Sequence, residues 1–305
     1  MPAAVQGGGS CSAGEEASHK DNNSLCKIRK DFVPLSMIPV STLISLAVAA
    51  LLGFAVPVAL AWWLVRKFQI HWQTILIGAG TFIVFALVLE PILHQVVLKG
   101  PHGTQLMANV WYYALYGGLA AGLFEETGRF LSMKFLMRRE PTSALPGVGY
   151  GAGHGGVEML IIFGISMISN LAVAAMINAG QADILTAKVP EEQLAQVQAQ
   201  FAQLASLTPG TLLIGFWERL SALILQLGLS MLVWTAVRRG GKWLWLFPAA
   251  ILLHALVDGA AVILSKSVGM VAVEVIVCAI ALAVGAMGWL LGRKLNADAT
   301  APSSI

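Results

Sequence analysis

The stretch "LFEETGRF", residues 123–130, places Glu125, Glu126 and Arg129 inside an otherwise apolar run. Glu125 and Arg129 are four residues apart, and the same spacing recurs in Glu90 with His94, His154 with Glu158, and His254 with Asp258. Residues at i and i+4 share one face of a helix. Four apolar segments therefore each present a stacked polar pair to a common interior. A glutamate and two histidines can activate a water for attack on a carbonyl. In a direct version a glutamate takes the water's proton and histidines hold the developing oxyanion. In a metal version His154, His254 and a carboxylate bind Zn²⁺ while a glutamate acts as base. No HExxH stretch is present, so the usual zincin geometry is absent. Residue types alone leave both versions open, with Zn²⁺ or no cofactor at all.

Each residue has a plainer role to weigh beside the chemical one. Arg129 is most simply the counter-ion of a glutamate, within reach of Glu125 at four residues and Glu126 at three. Helix geometry does not say which. Asp258 reads as a residue orienting His254 from behind. Glu158 is a ligand, a base or a hydrogen bonder between helices. The segment "GVGYGAGHGGVE", residues 147–158, carries six glycines. It has no preceding strand to make a dinucleotide site. Its glycines suit close helix packing, or expose backbone N–H groups beside His154 to hold an oxyanion.

The elements that must position these groups are membrane helices. Of the 305 residues, 57% are hydrophobic and 11% charged, with mean hydropathy +0.75, against about a quarter charged in an ordinary soluble domain. Several apolar runs are long enough to cross a bilayer. The expected fold is all-α, a polytopic bundle of about seven transmembrane helices around a polar interior. Spans are expected at 38–65, 73–98, 108–134, 150–178, 211–237, 243–265 and 269–292. They make one membrane domain over 37–295, with a polar tail over 1–32, expected to be disordered, and a short polar one over 296–305. The 1–32 tail has no signal-peptide core, and Met37 offers an alternative start.

Basic residues set the expected orientation. Arg66, Lys67, Lys134, Arg138, Arg139, Arg238, Arg239, Lys242, Arg293 and Lys294 fall on one side, against Lys99, Lys188 and Lys266 on the other. The C-terminus is therefore expected in the cytoplasm. The cations sit at span ends, so the net charge of +3 does not point to nucleic acid. Cys11, Cys26 and Cys278 form neither a metal knuckle nor a disulfide framework. In the 179–210 connection, Leu194, Val197, Phe201 and Leu204 line one face behind Pro190, Glu191 and Glu192, predicting a short amphipathic helix. By depth, Glu125, Glu126, His154 and His254 belong to one layer in the cytoplasmic half. Glu90, His94, Glu218 and Arg219 are expected in a separate outer layer, mainly as structural ion pairs.

With those residues in place, the chain resembles the YhfC family of bacterial intramembrane proteases, related to PrsW and to the type II CAAX prenyl proteases. The resemblance covers about 37–295. "EETGR" is similar to the E-E-x-x-R/K signature of that superfamily, "GAGHGGVE" to its Gly-rich His motif, and "HALVD" to its late H-x-x-x-N/D motif. It implies that Glu125 activates water, supported by Glu126 and Arg129, with His154, His254 and Asp258 completing the site. The implied activity is peptide-bond hydrolysis on a membrane protein or peptide, within or next to the membrane of a bacterial cell. The E-E-x-x-R spacing matches PrsW better than the prenyl proteases, which points away from a CAAX substrate. Where relatives often carry a histidine, "ERLSALILQLGLS" offers Gln226. Two other readings stand beside the peptidase: a catalytically silent scaffold or chaperone on the same fold, and a proton-coupled transporter. The latter predicts an inverted repeat, and none is evident.

Overall fold

A computed structural model describes residues 37–300, with side chains described for 37–295. The tail expected over 1–32 lies outside the described residues, as do residues 301–305. The described residues form ten helices and no strand. They are α1 (Val40–Phe68), α2 (Trp72–Leu98), α3 (Gly103–Ala108), α4 (Val110–Phe135) and α5 (Leu145–Asn178). Then follow α6 (Ala182–Thr186), α7 (Glu191–Ala205), α8 (Pro209–Arg239), α9 (Leu246–Leu264) and α10 (Met270–Thr300). Six of the long helices are long and apolar enough to cross a membrane: α1, α2, α5, α8, the α9 segment and α10. The seventh, α4, has the length at 26 residues. Its composition is diluted by Glu125, Glu126 and Arg129, which are turned inward and buried. The chain is a multi-pass membrane protein.

Local sequence explains where the helices start and bend. Asn109 caps α4 by accepting from the N–H groups of Trp111 and Tyr112 at 2.9 and 3.3 Å. Thr208 and Thr211 form a reciprocal cap on α8, with Pro209 in the first turn. In α2 a π-helical turn, Phe85–Leu89, immediately precedes Glu90 and Pro91. Pro91 has no N–H to give and crowds the preceding turn, so the wider turn absorbs the mismatch. A second π-helical turn, Met159–Ile165, follows Glu158 in α5. α5 begins five residues before the expected 150, with Pro146 in its first turn.

By contact the chain forms two compact units. One comprises residues 37–39 and 173–206. There the Asn178 side chain clasps the Ile38 backbone, accepting from its N–H at 2.7 Å and donating to its carbonyl at 2.9 Å. α7 forms where its pattern predicts, with Leu194, Phe201 and Leu204 buried. The other comprises, among the described residues, 40–172 and 207–300 and holds every polar residue of the site. Its centre is α8: 72% of its apolar window is buried, against 22–28% for the other five spans. Those five turn Leu51, Trp62, Leu76, Ile92, Ile168, Leu252 and Val275 outward, the pattern of helices whose outer faces meet lipid.

Small residues set the spacing between helices. A side chain at Gly118 or Gly122 of α4 would run into the backbone carbonyls of Ala255 and Ile251 in α9. One at Gly78 of α2 would meet the carbonyl of Tyr150, and one at Gly153 of α5 that of Ile75. This is close packing at small residues: it holds α9, which carries His254, against α4, and α5, which carries His154, against α2. The glycines are spent on packing, and α5 is helical through Glu158, so its N–H groups are not an oxyanion site. Gly153→Val is expected to destabilise the protein by about 1–3 kcal/mol, because backbone cannot yield as a flexible side chain does. Thermal unfolding of the purified protein in detergent checks this.

The basic ends gather at one end of this unit. Arg238 donates to the carbonyl of Arg138 at 3.4 Å and to the hydroxyl of Thr142. Arg239 donates to the carbonyl of Lys294 at 3.1 Å. His71, after α1, meets Glu140 at 3.1 Å.

Candidate active site

Glu125 and Glu126 are neighbours on α4, so they point about 100° apart, and the two directions lead to different partners. Glu126 is fully buried, as is Arg129, and receives the Arg129 Nη1 on both carboxylate oxygens at 2.9 and 3.0 Å. His254 Nδ1 donates to the same carboxylate at 2.9 Å. Glu126 is thus the counter-ion, and it also fixes the His254 ring. Glu126 takes the Nδ1 edge of the ring for which only Asp258 was expected. Asp258 lies on the other edge of the ring, with Oδ2 3.5 Å from His254 Nε2 and its side chain 41% exposed.

Glu125 turns instead toward α5 and α8. Its Oε2 accepts from His154 Nε2 at 2.8 Å and from the Gln226 amide nitrogen at 3.1 Å. His254 Nε2 lies 4.0 Å from the same oxygen. Both of these donors reach Oε2, and Glu125 is among the residues that line the cavity. The His154 ring is wedged edge-on to Phe82 at 5.2 Å and roughly parallel to Tyr150 at 6.0 Å. The Tyr150 hydroxyl is held by Ser132 at 3.0 Å. Gln226 completes the centre: it accepts from Arg129 Nη2 and also donates to Glu158 Oε2 at 2.8 Å.

The site opens into a cavity of about 480 Å³, within the range of small-ligand pockets. Glu125, Glu158, His254 and Asp258 line it together with Glu90, His94, Glu218 and Arg219. The expected separation into two layers does not hold. Glu158, one turn beyond His154, meets Gln226 on one oxygen and Arg219 at 3.5 Å on the other, so the two groups are continuous. Ion pairs are present in the outer part as expected: Glu90 with His94 at 3.2 Å, and Glu218 with Arg219. His94 also meets the Tyr116 hydroxyl at 2.8 Å.

The structure brings every expected site residue to one cavity or its immediate wall. Sequence reasoning missed Tyr150 and Phe82 as the walls of His154, with Ser132 behind Tyr150, and it missed Gln226 as the bridge. For Gln226 the available signal was an amide on the buried face of an apolar helix, one turn from small residues.

A profile of the YhfC intramembrane metalloprotease family matches residues 52–281. The chain belongs to the YhfC family. It is 38% identical to the uncharacterized membrane protein YhfC of Bacillus subtilis (strain 168) over 249 residues, 80% of this chain and 94% of that protein. No solved structure gives a significant match.

The family description raises the question of a metal. Among the described residues, Glu125, His154 and Glu158 each offer a ligand atom, all within 4.8 Å of one another. That donor set is of a type that holds Zn²⁺. His254, expected beside His154 as a ligand, is not among the three. As arranged, the same ligand atoms are engaged by hydrogen bonds. The Gln226 amide donates to Oε2 of both carboxylates, and His154 Nε2 is engaged with Glu125. The other ring nitrogen, Nδ1, is buried without a partner, whereas a metal-bound histidine ordinarily donates its second N–H to an acceptor.

Proposed function

We propose that the chain is an intramembrane peptidase in which Glu125 activates a water against a peptide bond of a membrane-associated protein or peptide. One observation carries the reading. Glu125 is buried, held through Oε2 by His154 and Gln226, and lines a cavity among the membrane-spanning helices. The water's oxygen attacks the carbonyl carbon while its proton passes to Glu125 Oε1. The carbonyl π electrons move to oxygen, and His254, which lines the same cavity, acts as the imidazolium: Nδ1–H stays on Glu126 and Nε2–H donates to the oxyanion. The C–N bond then breaks, and the leaving amine takes the proton from Glu125. Glu126 holds His254 by Nδ1 throughout, and Arg129 balances Glu126.

By the positive-inside rule, the basic end of the bundle is cytoplasmic and carries the C-terminus with it. The membrane is that of a bacterial cell, as for the relative.

The test is cleavage of a single-span membrane peptide by the purified, reconstituted protein. His254→Ala is expected to lower kcat about 10²–10³-fold with KM nearly unchanged, the signature of a donor used in the transition state. An unchanged kcat in a folded His254→Ala variant would remove His254 from the reaction.

A further inference from the structure

Gln226 is the one polar side chain at the centre that neither charge balance nor water activation calls for. It is 3% exposed on α8 and makes three hydrogen bonds. A guanidinium has only N–H donors, so the Gln226 atom facing Arg129 is the carbonyl oxygen. The amide nitrogen is thereby turned the other way, and both its hydrogens are spent on Glu125 and Glu158. A cation bound to those two oxygens would have to displace both N–H donors.

His154 gives a second, independent observation. Its 2.8 Å contact with Glu125 Oε2 needs a proton, and the Nε2–H form supplies it, leaving no lone pair on that nitrogen for a metal. Freeing Nε2 would move the proton to Nδ1, which is buried with nothing to accept it. An unmet buried donor costs about 1–3 kcal/mol.

We propose that Gln226, oriented by Arg129, holds Glu125, His154 and Glu158 as a hydrogen-bonded cluster that excludes divalent cations. Water activation at Glu125 is then the work of protein groups alone. That consequence rests on the peptidase reading; the exclusion of the cation does not.

The test counts metal rather than product. Full-length protein in detergent is incubated with Zn²⁺, desalted, and its zinc per chain measured by mass spectrometry; isothermal titration gives the affinity. Wild type is expected to retain no more zinc than Glu158→Gln. Gln226→Glu removes both donors and adds an oxygen in their place. It is expected to take up one Zn²⁺ per chain, about 10–100-fold tighter than wild type, and to lose it when combined with Glu158→Gln. Wild type holding one zinc that Glu158→Gln abolishes overturns the proposal. A folded Gln226→Glu that binds no zinc overturns it too, since the amide is then not what excludes the ion. If Gln226→Glu does not fold, the comparison of wild type with Glu158→Gln decides alone. Absence of peptide cleavage would sink the peptidase reading and leave these zinc counts standing.

Discussion

Replacing Glu125 with glutamine is expected to lower peptide hydrolysis by about 10²–10⁴-fold, the range for loss of a general base, with the fold intact. Glutamine keeps the shape and an oxygen able to accept from His154 Nε2, as Glu125 Oε2 does at 2.8 Å. What it loses is the carboxylate's basicity. The effect should fall on kcat and on kcat/KM alike, because proton transfer matters only in the transition state. Glu126→Gln should behave differently. Glu126 is sealed from the cavity and engaged by Arg129 and His254, so its loss shows first as reduced stability. The comparison of adjacent residues is the sharpest form of the test. Rates and melting curves of both variants, measured side by side, separate a base from a counter-ion.

Arg129→Met is expected to destabilise the protein by about 3–5 kcal/mol, the cost of breaking a buried pair by removing one partner. Arg129 and Glu126 are both fully buried, so no water is at hand to take over. The substitution strands the Glu126 carboxylate with His254 as its remaining partner. It also frees the Gln226 amide, whose oxygen Arg129 holds. A loss of that size is a large share of the roughly 5–15 kcal/mol that keeps a typical protein folded. Thermal unfolding in detergent and the yield of monodisperse protein should both report it. Lys134→Ala, one turn further on the same helix and exposed, should change stability by no more than about 0.5 kcal/mol. Equal melting points for the two variants would contradict the network described here.

Much of the architecture was legible in the sequence because bilayer helices announce themselves by apolar length. Seven long helices stand close to the expected seven spans, α4 among them despite its charges. The i, i+4 pairs were legible for the same reason, since they depend on one helix alone. What depends on two helices was not. Arg129 can reach either glutamate from its own helix. The choice of Glu126 is made by α5 and α9, which bring His154 to Glu125 and His254 to Glu126. Likewise the outer ion pairs look separate when depth is counted along single helices. They join the inner group through Glu158, which reaches both Gln226 and Arg219. The start of α5 was placed late because a glycine-rich stretch has poor helix propensity. Packing of Gly149 and Gly153 against α2, and of Gly147, Gly151 and Gly155 against α8, overrides it.

Glu125 as the base is the claim on which the rest turns, and cleavage in ¹⁸O-labelled water tests it most directly. Wild-type protein in proteoliposomes, given a single-span peptide, should place one ¹⁸O on the new carboxyl end, equally with and without chelator. Glu125→Gln, reconstituted to the same level and melting at the same temperature, should yield no labelled fragment above background. A wild-type product that vanishes with chelator and persists in Glu125→Gln would contradict the account.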